Sequence, residues 1–159
     1  MSVKVDLKQF RTTLDKVFTE VTSQKNMREF GEYAVDRIVK RTRLGKGVDE
    51  RGGDPKPLKA LSESYKKKRR TSEELSSTTR PGKSNLTFTG QLLDSIKVIT
   101  IKAGSVLISA TGRRKDGLTN KELTGYVSED RPFLNLSKPE LNGLSKLIRE
   151  RIESILKRK

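Results

Sequence analysis

Residues 98–108 read VITIKAGSVLI, which is the pattern of a β-hairpin. Apolar residues, most of them β-branched, dominate both ends of this stretch, as they do in strands. Ala103-Gly104-Ser105 between them predicts the turn that joins the two strands. Working outward from the hairpin, the longer apolar patterns of the chain repeat at spacings of three and four, which indicates helices on both sides of a small antiparallel sheet.

The C-terminal helix is the best-marked element of the sequence. Ser137 and Glu140 have the spacing of a capping box, and Leu136 and Leu141 occupy the hydrophobic-staple positions around it. The cations at positions 157–159 would end this helix at the negative pole of its dipole. The predicted buried face consists of Leu141, Leu144, Leu147, Ile148, Ile152, Ile155 and Leu156.

Two amphipathic helices are predicted before the hairpin, over residues 7–21 and then from residue 27 onward. Asn26 and Glu29 indicate an N-cap for the second of them, and Gly45-Lys46-Gly47 indicates its end. The predicted buried faces are Leu7, Phe10, Leu14, Val17, Phe18 and Val21 in the first helix, and Met27, Phe30, Ala34, Val35, Ile38 and Val39 in the second.

A short helix and a short strand complete the predicted fold. Thr89 can cap a helix that carries Leu92, Leu93 and Ile96, and Tyr126-Val127 has the composition of a third strand. The sequence therefore predicts one α+β domain over residues 1–159. Its small antiparallel β-sheet would be packed by the N-terminal and C-terminal amphipathic helices.

Residues 45–85 differ in composition from the rest of the chain. They contain six apolar residues, and 11 basic against 6 acidic residues. Gly52-Gly53-Asp54-Pro55 is a strong turn signal. We expect a long polar, basic loop or arm within the domain, with one or two short helical turns around Leu58–Arg69 and Ser72–Leu75.

The composition argues against an enzyme. The 159 residues include no Cys and no His, which excludes disulfides, thiolate ligands and Ser–His or Cys–His catalysis. Gly45-Lys46-Gly47 and Arg51-Gly52-Gly53 match neither a P-loop nor a dinucleotide-binding fingerprint. Asp49, Glu50 and Asp54 could hold a hard cation such as Mg²⁺, but their basic surroundings favour salt pairing. We therefore expect no catalytic residue, no metal and no cofactor.

The charge of the chain indicates a polyanionic neighbour. There are 35 basic and 20 acidic residues, a net charge of +15, which favours contact with nucleic acid or an anionic surface. The excess lies outside residues 86–130, which carry 6 basic and 5 acidic residues. No apolar run approaches the roughly 18 residues of a membrane span, and the N-terminus lacks the apolar core of a signal peptide. The sequence therefore predicts a soluble, intracellular protein without a membrane partner.

Cations of two polar segments are the candidate contacts to DNA or to a partner protein. A flexible basic segment suits contact with phosphates without base reading, although a solvated basic loop is the alternative. Tyr65, next to the longest basic run, could stack on a base or anchor the loop to the body of the domain. The candidate contacts are Lys66, Lys67, Lys68, Arg69, Arg70, Arg80, Lys83, Arg113, Arg114 and Lys115.

Three segments, in order along the chain, resemble one family of phage proteins. Residues 57–68 read PLKALSESYKKK, residues 86–96 read LTFTGQLLDSI, and residues 131–137 read RPFLNLS. The first resembles a "leucine, short spacer, leucine-serine, tyrosine, lysine-rich" stretch. The second resembles a "threonine-glycine, leucine, serine-isoleucine" element, and the third resembles the lead-in to the final helix. The family is that of the tail-completion and virion-morphogenesis proteins of tailed bacteriophages. The second half of the basic loop departs from the family's pattern.

The resemblance implies a structural role at the phage neck. It implies a homo-oligomeric ring around the DNA channel, joining a connector or adaptor protein to the tail-terminator or tail-tube protein. Genomic DNA would pass through non-specifically, and the protein would be made in the host cytoplasm and reside in the virion. The alternative from another class is a non-specific nucleic-acid-binding protein that uses the basic loop and the terminal helix on phosphates.

Overall fold

The hairpin lies against helices in a computed structural model that describes residues 7–49, 51–73, 75, 80 and 82–158. The predicted α+β fold is confirmed: the terminal helices pack around a small antiparallel sheet. Glu50 and residues 76–79, on which sequence predictions were made, lie outside the described residues. In chain order the elements are α1 (Leu7–Val21), α2 (Gln24–Arg43), β1 (Lys46–Gly47), β2 (Lys56–Pro57), α3 (Glu63–Arg70), α4 (Gln91–Asp94), β3 (Ile96–Lys102), β4 (Ser105–Ala110), α5 (Asn120–Asp130) and α6 (Lys138–Lys157).

The predicted hairpin is formed by β3 and β4. Ile96 pairs with Ala110 at its base, where both side chains are buried. The register shifts between Val98 and Thr100, which is a β-bulge. Gly104 in the turn has φ +76°, a conformation that glycine adopts without strain. The strand begins at Ile96, which the sequence placed on the short helix.

Helix α2 packs directly on this hairpin because one of its residues has no side chain. A Cβ atom at Gly31 would lie 2.7 Å from a methyl carbon of Val98 and 2.7 Å from one of Val106. The glycine therefore allows the helix backbone to approach the sheet. The core between them and the following elements consists of Ile38, Leu92, Leu93, Ile96, Ala110 and Phe133.

Helix α6 is joined to α2 by Arg41. The Arg41 guanidinium, 6% exposed, pairs with Glu140 and donates to the carbonyl oxygens of Phe133 and Asn135. Glu140 Oε2 also accepts from the Ser137 N–H at 2.7 Å, so the predicted capping pair at the start of α6 is present. The Glu140 carboxylate thus caps α6 and, through Arg41, also holds α2 against the start of α6.

Three local predictions are wrong. Ser23 is the N-cap of α2, and the Asn26 amide donates to the Glu20 carbonyl oxygen at 2.7 Å, linking the two N-terminal helices. Gly90, with φ +78°, is the N-cap of α4 in place of Thr89. Tyr126-Val127 is part of helix α5.

Helix α5 replaces the predicted third strand because its start carries a capping box. The Thr119 N–H donates to Glu122 Oε2 at 2.9 Å, and the Glu122 N–H donates to Thr119 Oγ1 at 3.1 Å. These two bonds satisfy backbone donors that would otherwise lack partners at a helix start. The capping box of Thr119 and Glu122 therefore outweighs the preference of Tyr126-Val127 for a strand.

The predicted long loop contains a two-stranded sheet and a helix. Lys46 pairs with Pro57 and Gly47 with Lys56, which was not predicted. Helix α3 overlaps the first of the two predicted helical turns, around Leu58–Arg69. A Cβ at Gly47 would collide with the Pro132 carbonyl oxygen, so the mini-sheet lies against the lead-in to α6. The predicted salt pairing is found at Asp49, 3.8 Å from Lys56 Nζ.

The apolar faces of the terminal helices are less buried than their periodicity predicts. On α1, Val17 is buried, whereas Phe10, Leu14 and Phe18 are exposed. On α6, Ile155 alone of the predicted face is fully buried among the described residues, and Leu141 and Leu156 are each 46% exposed. The two helices contact each other and α2. Much of their apolar surface is therefore uncovered in the single chain.

Candidate functional site

The longest basic run of the sequence forms helix α3. Ser62 caps the helix, with the Tyr65 N–H donating to Ser62 Oγ at 3.3 Å. Glu63 in the first turn pairs with Lys66 Nζ at 2.6 Å, and this hydrogen bond lowers the pKa of the Glu63 carboxyl. The cations of the last turn lie at the negative end of the helix dipole. Cap, ion pair and dipole together offset the repulsion among neighbouring cations.

The cations of α3 do not share one environment. Lys67, Lys68 and Arg70 are exposed, and no carboxylate of the described residues pairs with any of them. Arg69 is 2% exposed. Its burial removes Arg69 from the predicted set of surface contacts, because a phosphate at the surface could not reach its guanidinium. The exposed basic surface of α3 is therefore Lys67, Lys68 and Arg70.

Arg80 and Lys83 lie in the segment that leads to α4. Arg80 is exposed and Lys83 is half-buried, and the Lys83 N–H donates to the Arg80 carbonyl oxygen at 2.9 Å. The Lys83 carbonyl oxygen in turn accepts from Arg69 Nη1 at 2.8 Å. Hydrogen bonds therefore hold Arg80 and Lys83, two of the predicted contacts, beside α3, although both follow it at a distance in the sequence.

The basic loop between β4 and α5 is an ordered turn. Arg114 Nε donates to Asp116 Oδ2 at 3.2 Å, and the Leu118 N–H donates to Asp116 Oδ1 at 3.2 Å. The Leu118 bond and then the Arg114 bond lower the pKa of the Asp116 carboxyl. Arg113 and Lys115 remain exposed. The loop therefore presents two of its three predicted contacts to solvent.

A cleft of about 570 Å³ lies where α3, residues 86–92 and α5 meet. Tyr65 and Arg69 line it from α3, and Arg114 lines it from the basic loop, so two predicted basic segments border one cleft. The apolar residues of its lining are Ala60, Leu61, Leu86, Phe88, Leu92, Leu123 and Val127.

The lining of the cleft has more cations than anions. Lys59, Arg69, Arg114 and Arg131 line it, and Asp130 is the one acidic residue among the described lining residues. Lys59 Nζ lies 2.6 Å from Asp130 Oδ1, and this bond lowers the pKa of the Asp130 carboxyl. Arg114 pairs with Asp116, which lies outside the lining, so the net positive charge of the cleft rests on Arg69 and Arg131.

Arg131 positions the chain segment that precedes α3. Its Nε donates to the Lys59 carbonyl oxygen at 3.1 Å and to Ser84 Oγ at 3.2 Å, and its Nη2 donates to the Ala60 carbonyl oxygen at 3.3 Å. Tyr65 adds a second attachment, since its ring centroid lies 6.1 Å from that of Phe88 with the planes tilted by 37°. This contact agrees with the anchoring role, the second of the two considered for Tyr65, while the side chain remains 40% exposed.

The three segments that resemble the phage family meet at this cleft. Residues 59–65 come from the first segment, residues 86–92 from the second, and Arg131 opens the third. Their side chains hold the 57–70 stretch against α4 and α5. In this structure the residues of these segments that line the cleft are explained by packing of the fold.

Sequence reasoning missed the residues that build the cleft. Lys59 is far from Asp130 and Arg131 in the sequence, and no spacing signal links positions some 70 residues apart. Arg69 was grouped with its exposed neighbours because a run of like charges gives no sign of which member faces inward. A helical wheel over Glu63–Arg70 places Arg69 beside Tyr65, which was the available hint.

A second candidate surface is the α1 apolar face, which we define as Phe10, Leu14 and Phe18. These side chains are 60%, 51% and 63% exposed, and their four-residue spacing puts them on one side of the helix. Large apolar groups that adjoin on a surface mark interaction sites more often than scattered ones do.

Neither a metal centre nor a membrane span is found among the described residues. No group of three or more Asp or Glu side chains in residues 7–49, 51–73, 75, 80 and 82–158 is placed to hold a metal ion. Within the same ranges, no helix has the length and apolar character to cross a bilayer.

Comparisons of the chain with protein-family models, curated proteins and solved structures give no match.

Proposed function

We propose that this chain is a non-enzymatic structural subunit of the head–tail junction of a tailed bacteriophage. In this proposal it forms a ring around the DNA channel and joins the connector to the tail. The three segments at residues 57–68, 86–96 and 131–137 support the family assignment through their resemblance and their order. Their convergence on one cleft agrees with a common role of the three segments in packing.

The α1 apolar face carries the proposal. Phe10, Leu14 and Phe18 are all more than half exposed, on a chain with a net charge of +15. A single soluble chain gains nothing from this exposure, whereas a subunit that buries α1 against its neighbour gains the burial of three large side chains. A face that meets a different face of the next copy produces a closed ring when the rotation closes.

The exposed cations supply the second support. Lys67, Lys68 and Arg70 on α3 and Arg113 and Lys115 on the basic loop are available for contact with phosphates. Such contacts release counterions and carry no sequence information, which suits DNA that moves through a channel. The proposal therefore expects these five cations to face the lumen or an acidic neighbour.

Sedimentation velocity and negative-stain electron microscopy test this proposal. The purified chain is measured alone and in a mixture with connector and tail-terminator proteins. Rings should form in the mixture, whether or not the chain forms them alone. Antibody labelling of virions should then mark the neck. A chain that stays monomeric in every mixture and is not detected in virions contradicts the proposal.

A nucleic-acid-binding protein is the second candidate, favoured by the exposed cations of α3. It predicts tight DNA binding by the isolated monomer near physiological salt. If Lys67, Lys68 and Arg70 each neutralise a phosphate, log Kd should change with log salt by about 3 units per decade. The ring subunit instead should bind DNA weakly as a monomer. Fluorescence anisotropy with a labelled duplex over a salt series separates the two candidates.

A further inference from the structure

The β3–β4 hairpin is a sheet of two strands with two open edges. Among the described residues, each strand forms interstrand backbone bonds with the other strand alone. An edge strand presents a row of backbone N–H and C=O groups without partners, which is a template for pairing with a further strand. The sheet can therefore be extended beside β3, beside β4, or on both sides.

One face of the hairpin is covered and the other is open. Val98 and Val106 lie against α2 at Gly31. Successive residues of a strand point to opposite faces, so Leu107 points away from α2. Leu107 is 57% exposed, and Ile99 at the bulge is 46% exposed. The open face therefore carries apolar side chains next to both edges.

Helix α5 reaches the hairpin at its base and leaves the end near the turn free. The Asn120 N–H donates to the Gly112 carbonyl oxygen at 3.0 Å, and Asn120 Nδ2 donates to the Thr111 carbonyl oxygen at 2.7 Å. Both acceptors follow the end of β4. Ser105 and Leu107, at the other end of the strand, are exposed. The open part of the β4 edge is therefore the part nearest to the turn.

The two edges differ in charge. Strand β3 carries the exposed lysines Lys97 and Lys102 near its two ends, whereas Ser105–Ala110 contains no charged residue. Edge lysines oppose strand pairing. Two β3 edges meeting antiparallel would bring Lys97 of one copy towards Lys102 of the other, which is unfavourable. A β3 edge beside a β4 edge avoids this repulsion, because the lysines would face uncharged residues.

We propose that the β4 edge of one copy pairs with the β3 edge of a second copy, so that their hairpins form one continuous antiparallel sheet. The inference rests on the homo-oligomeric ring of the proposed function and names a contact between its subunits. Main-chain hydrogen bonds provide the affinity, as in other cases of strand addition. Because the contact joins two different edges, it repeats from copy to copy and closes into a ring when the rotation closes.

Hydrogen–deuterium exchange on the unaltered chain tests the proposal. It compares the monomer with the ring assembled with connector and tail-terminator proteins. Alternate amides of both Lys97–Lys102 and Ser105–Ile108 should exchange at least about tenfold more slowly in the ring, because new interstrand bonds protect them. Protection of β4 without β3 would mean that β4 pairs with something other than a β3 edge, and would overturn the proposal.

The same experiment separates this inference from the proposed function. A ring in which the amides of both strands exchange as they do in the monomer would overturn the edge contact and leave the proposed ring standing. A chain that stays monomeric in every mixture would overturn both.

Leu107→Lys and Leu107→Glu are a matched pair that identifies the partner strand. Both remove the same apolar side chain, so they differ in the charge placed beside the neighbour's Lys97 and Lys102. The Glu variant should associate about fivefold more tightly than the Lys variant, since opposite charges on adjacent strands attract and like charges repel. Sedimentation velocity measures the association. Equal weakening by both would mean a two-fold contact between β4 edges, and no weakening by either would mean a free edge; each result contradicts the proposal.

Leu44→Lys and Leu44→Glu control for the overall charge of the chain. Leu44 is 63% exposed, close to the exposure of Leu107, but it lies at the end of α2. These two variants should associate alike within about twofold, as expected for an exposed charge outside the contact. A difference as large as that between the Leu107 variants would mean that net charge decides the association, and would refute the edge contact.

Discussion

Arg41 holds the junction between α2 and the start of α6. It pairs with Glu140 and donates to the Phe133 carbonyl oxygen, and Phe133 itself is fully buried. Glu140 keeps its bond from the Ser137 N–H, but the loss of Arg41 would leave this nearly buried carboxylate without its cation and the Phe133 and Asn135 carbonyl oxygens without this donor. The junction between α2 and the start of α6 therefore depends strongly on one side chain.

The first prediction concerns Arg41→Met. Removing one partner of a buried ion pair leaves the other uncompensated, so we expect the free energy of unfolding to fall by about 3–5 kcal/mol. Urea denaturation followed by circular dichroism measures it. The matched control is Arg43→Met, because Arg43 pairs with Asp94 at 2.7 Å and both side chains are largely exposed. The control should lose less than about 1 kcal/mol, and equal losses would contradict the role given to Arg41.

The second prediction concerns the pH dependence of the α5 cap. Hydrogen bonds from Thr119 lower the pKa of Glu122 below its ordinary value of 4.5. A carboxyl whose folded pKa is depressed stabilises the fold above its unfolded pKa, and this contribution is lost as the pH falls through the folded pKa. Glu122→Gln should therefore be less stable than the parent chain at neutral pH. The two should converge as the pH falls through the lowered pKa of Glu122.

Thermal unfolding of both proteins across that pH range checks this expectation. Other carboxyls with lowered pKa values, such as Glu63 and Asp130, titrate in both proteins. The difference between the two curves therefore isolates Glu122. Two parallel curves would mean that the ionised carboxylate contributes nothing at the cap.

Among the elements, the contact of α2 with the hairpin depends on Gly31. This glycine lies within a helix, where it costs about 1 kcal/mol relative to Ala in intrinsic propensity. The close approach to Val98 and Val106 explains its presence. Gly125 in α5 differs, because a Cβ there would meet no atom within 4 Å. The two glycines therefore predict opposite responses to the same substitution.

The third prediction compares these two positions. Gly31→Ala should lower the free energy of unfolding by about 1–3 kcal/mol, because the added methyl overpacks the contact with β3 and β4. Gly125→Ala should raise it by about 0.5–1 kcal/mol through helix propensity alone. Chemical denaturation of the two variants and the parent chain measures whether each substitution raises or lowers the free energy of unfolding. Stabilisation by both substitutions would show that α2 does not pack on the hairpin as closely as described.

Elements with a long period or a strong cap could be predicted from the sequence. The helices over residues 7–21 and 138–157, the hairpin and the Ser137–Glu140 pair follow from local patterns. The β1–β2 pairing could not, because two-residue strands have no period and depend on contacts with Pro132. Helix α5 was not predicted, although Thr119 and Glu122 have the spacing of a capping box, because the strand propensity of Tyr126-Val127 indicates a strand there.

The site was less predictable than the fold. Composition and charge located the basic segments, and most of their cations are at the surface. Burial of Arg69 depends on Lys83 and Asn85, which follow it by 14 and 16 positions. The cleft likewise depends on Arg131 reaching back to Lys59. Such distant pairings leave no trace in local spacing, so a structure was needed to find them.

For the molecule as a whole, the α1 apolar face and the basic surfaces are separate features. Periodicity correctly predicted that α1 is amphipathic, but it could not show what covers the apolar side. In the single chain, Phe10, Leu14 and Phe18 remain more than half exposed. In the proposed ring, a neighbouring subunit covers them, and the cations of α3 and of the 113–115 loop are left for DNA or an acidic partner.

The fourth prediction uses the double variant Phe10→Gln/Phe18→Gln to test whether a neighbouring subunit covers the α1 apolar face. Gln keeps good helix propensity and removes the apolar surface. Because exposed substitutions change stability by no more than about 0.5 kcal/mol each, the melting temperature of the monomer should change little. Self-association and ring formation with neck partners should be lost. Sedimentation velocity and electron microscopy on the variant and the parent chain measure this.

Tyr126→Gln is the matched control for this variant. Tyr126 is 64% exposed, an aromatic exposure equal to that of Phe18, but it lies on α5. If exposed aromatic residues in general caused association, the control would weaken assembly as much as the double variant does. If α1 is the interface, the control should assemble like the parent. Rings that form unchanged in the double variant would remove the observation on which the proposed ring depends, whereas unfolding of the variant would show that α1 is covered within its own chain.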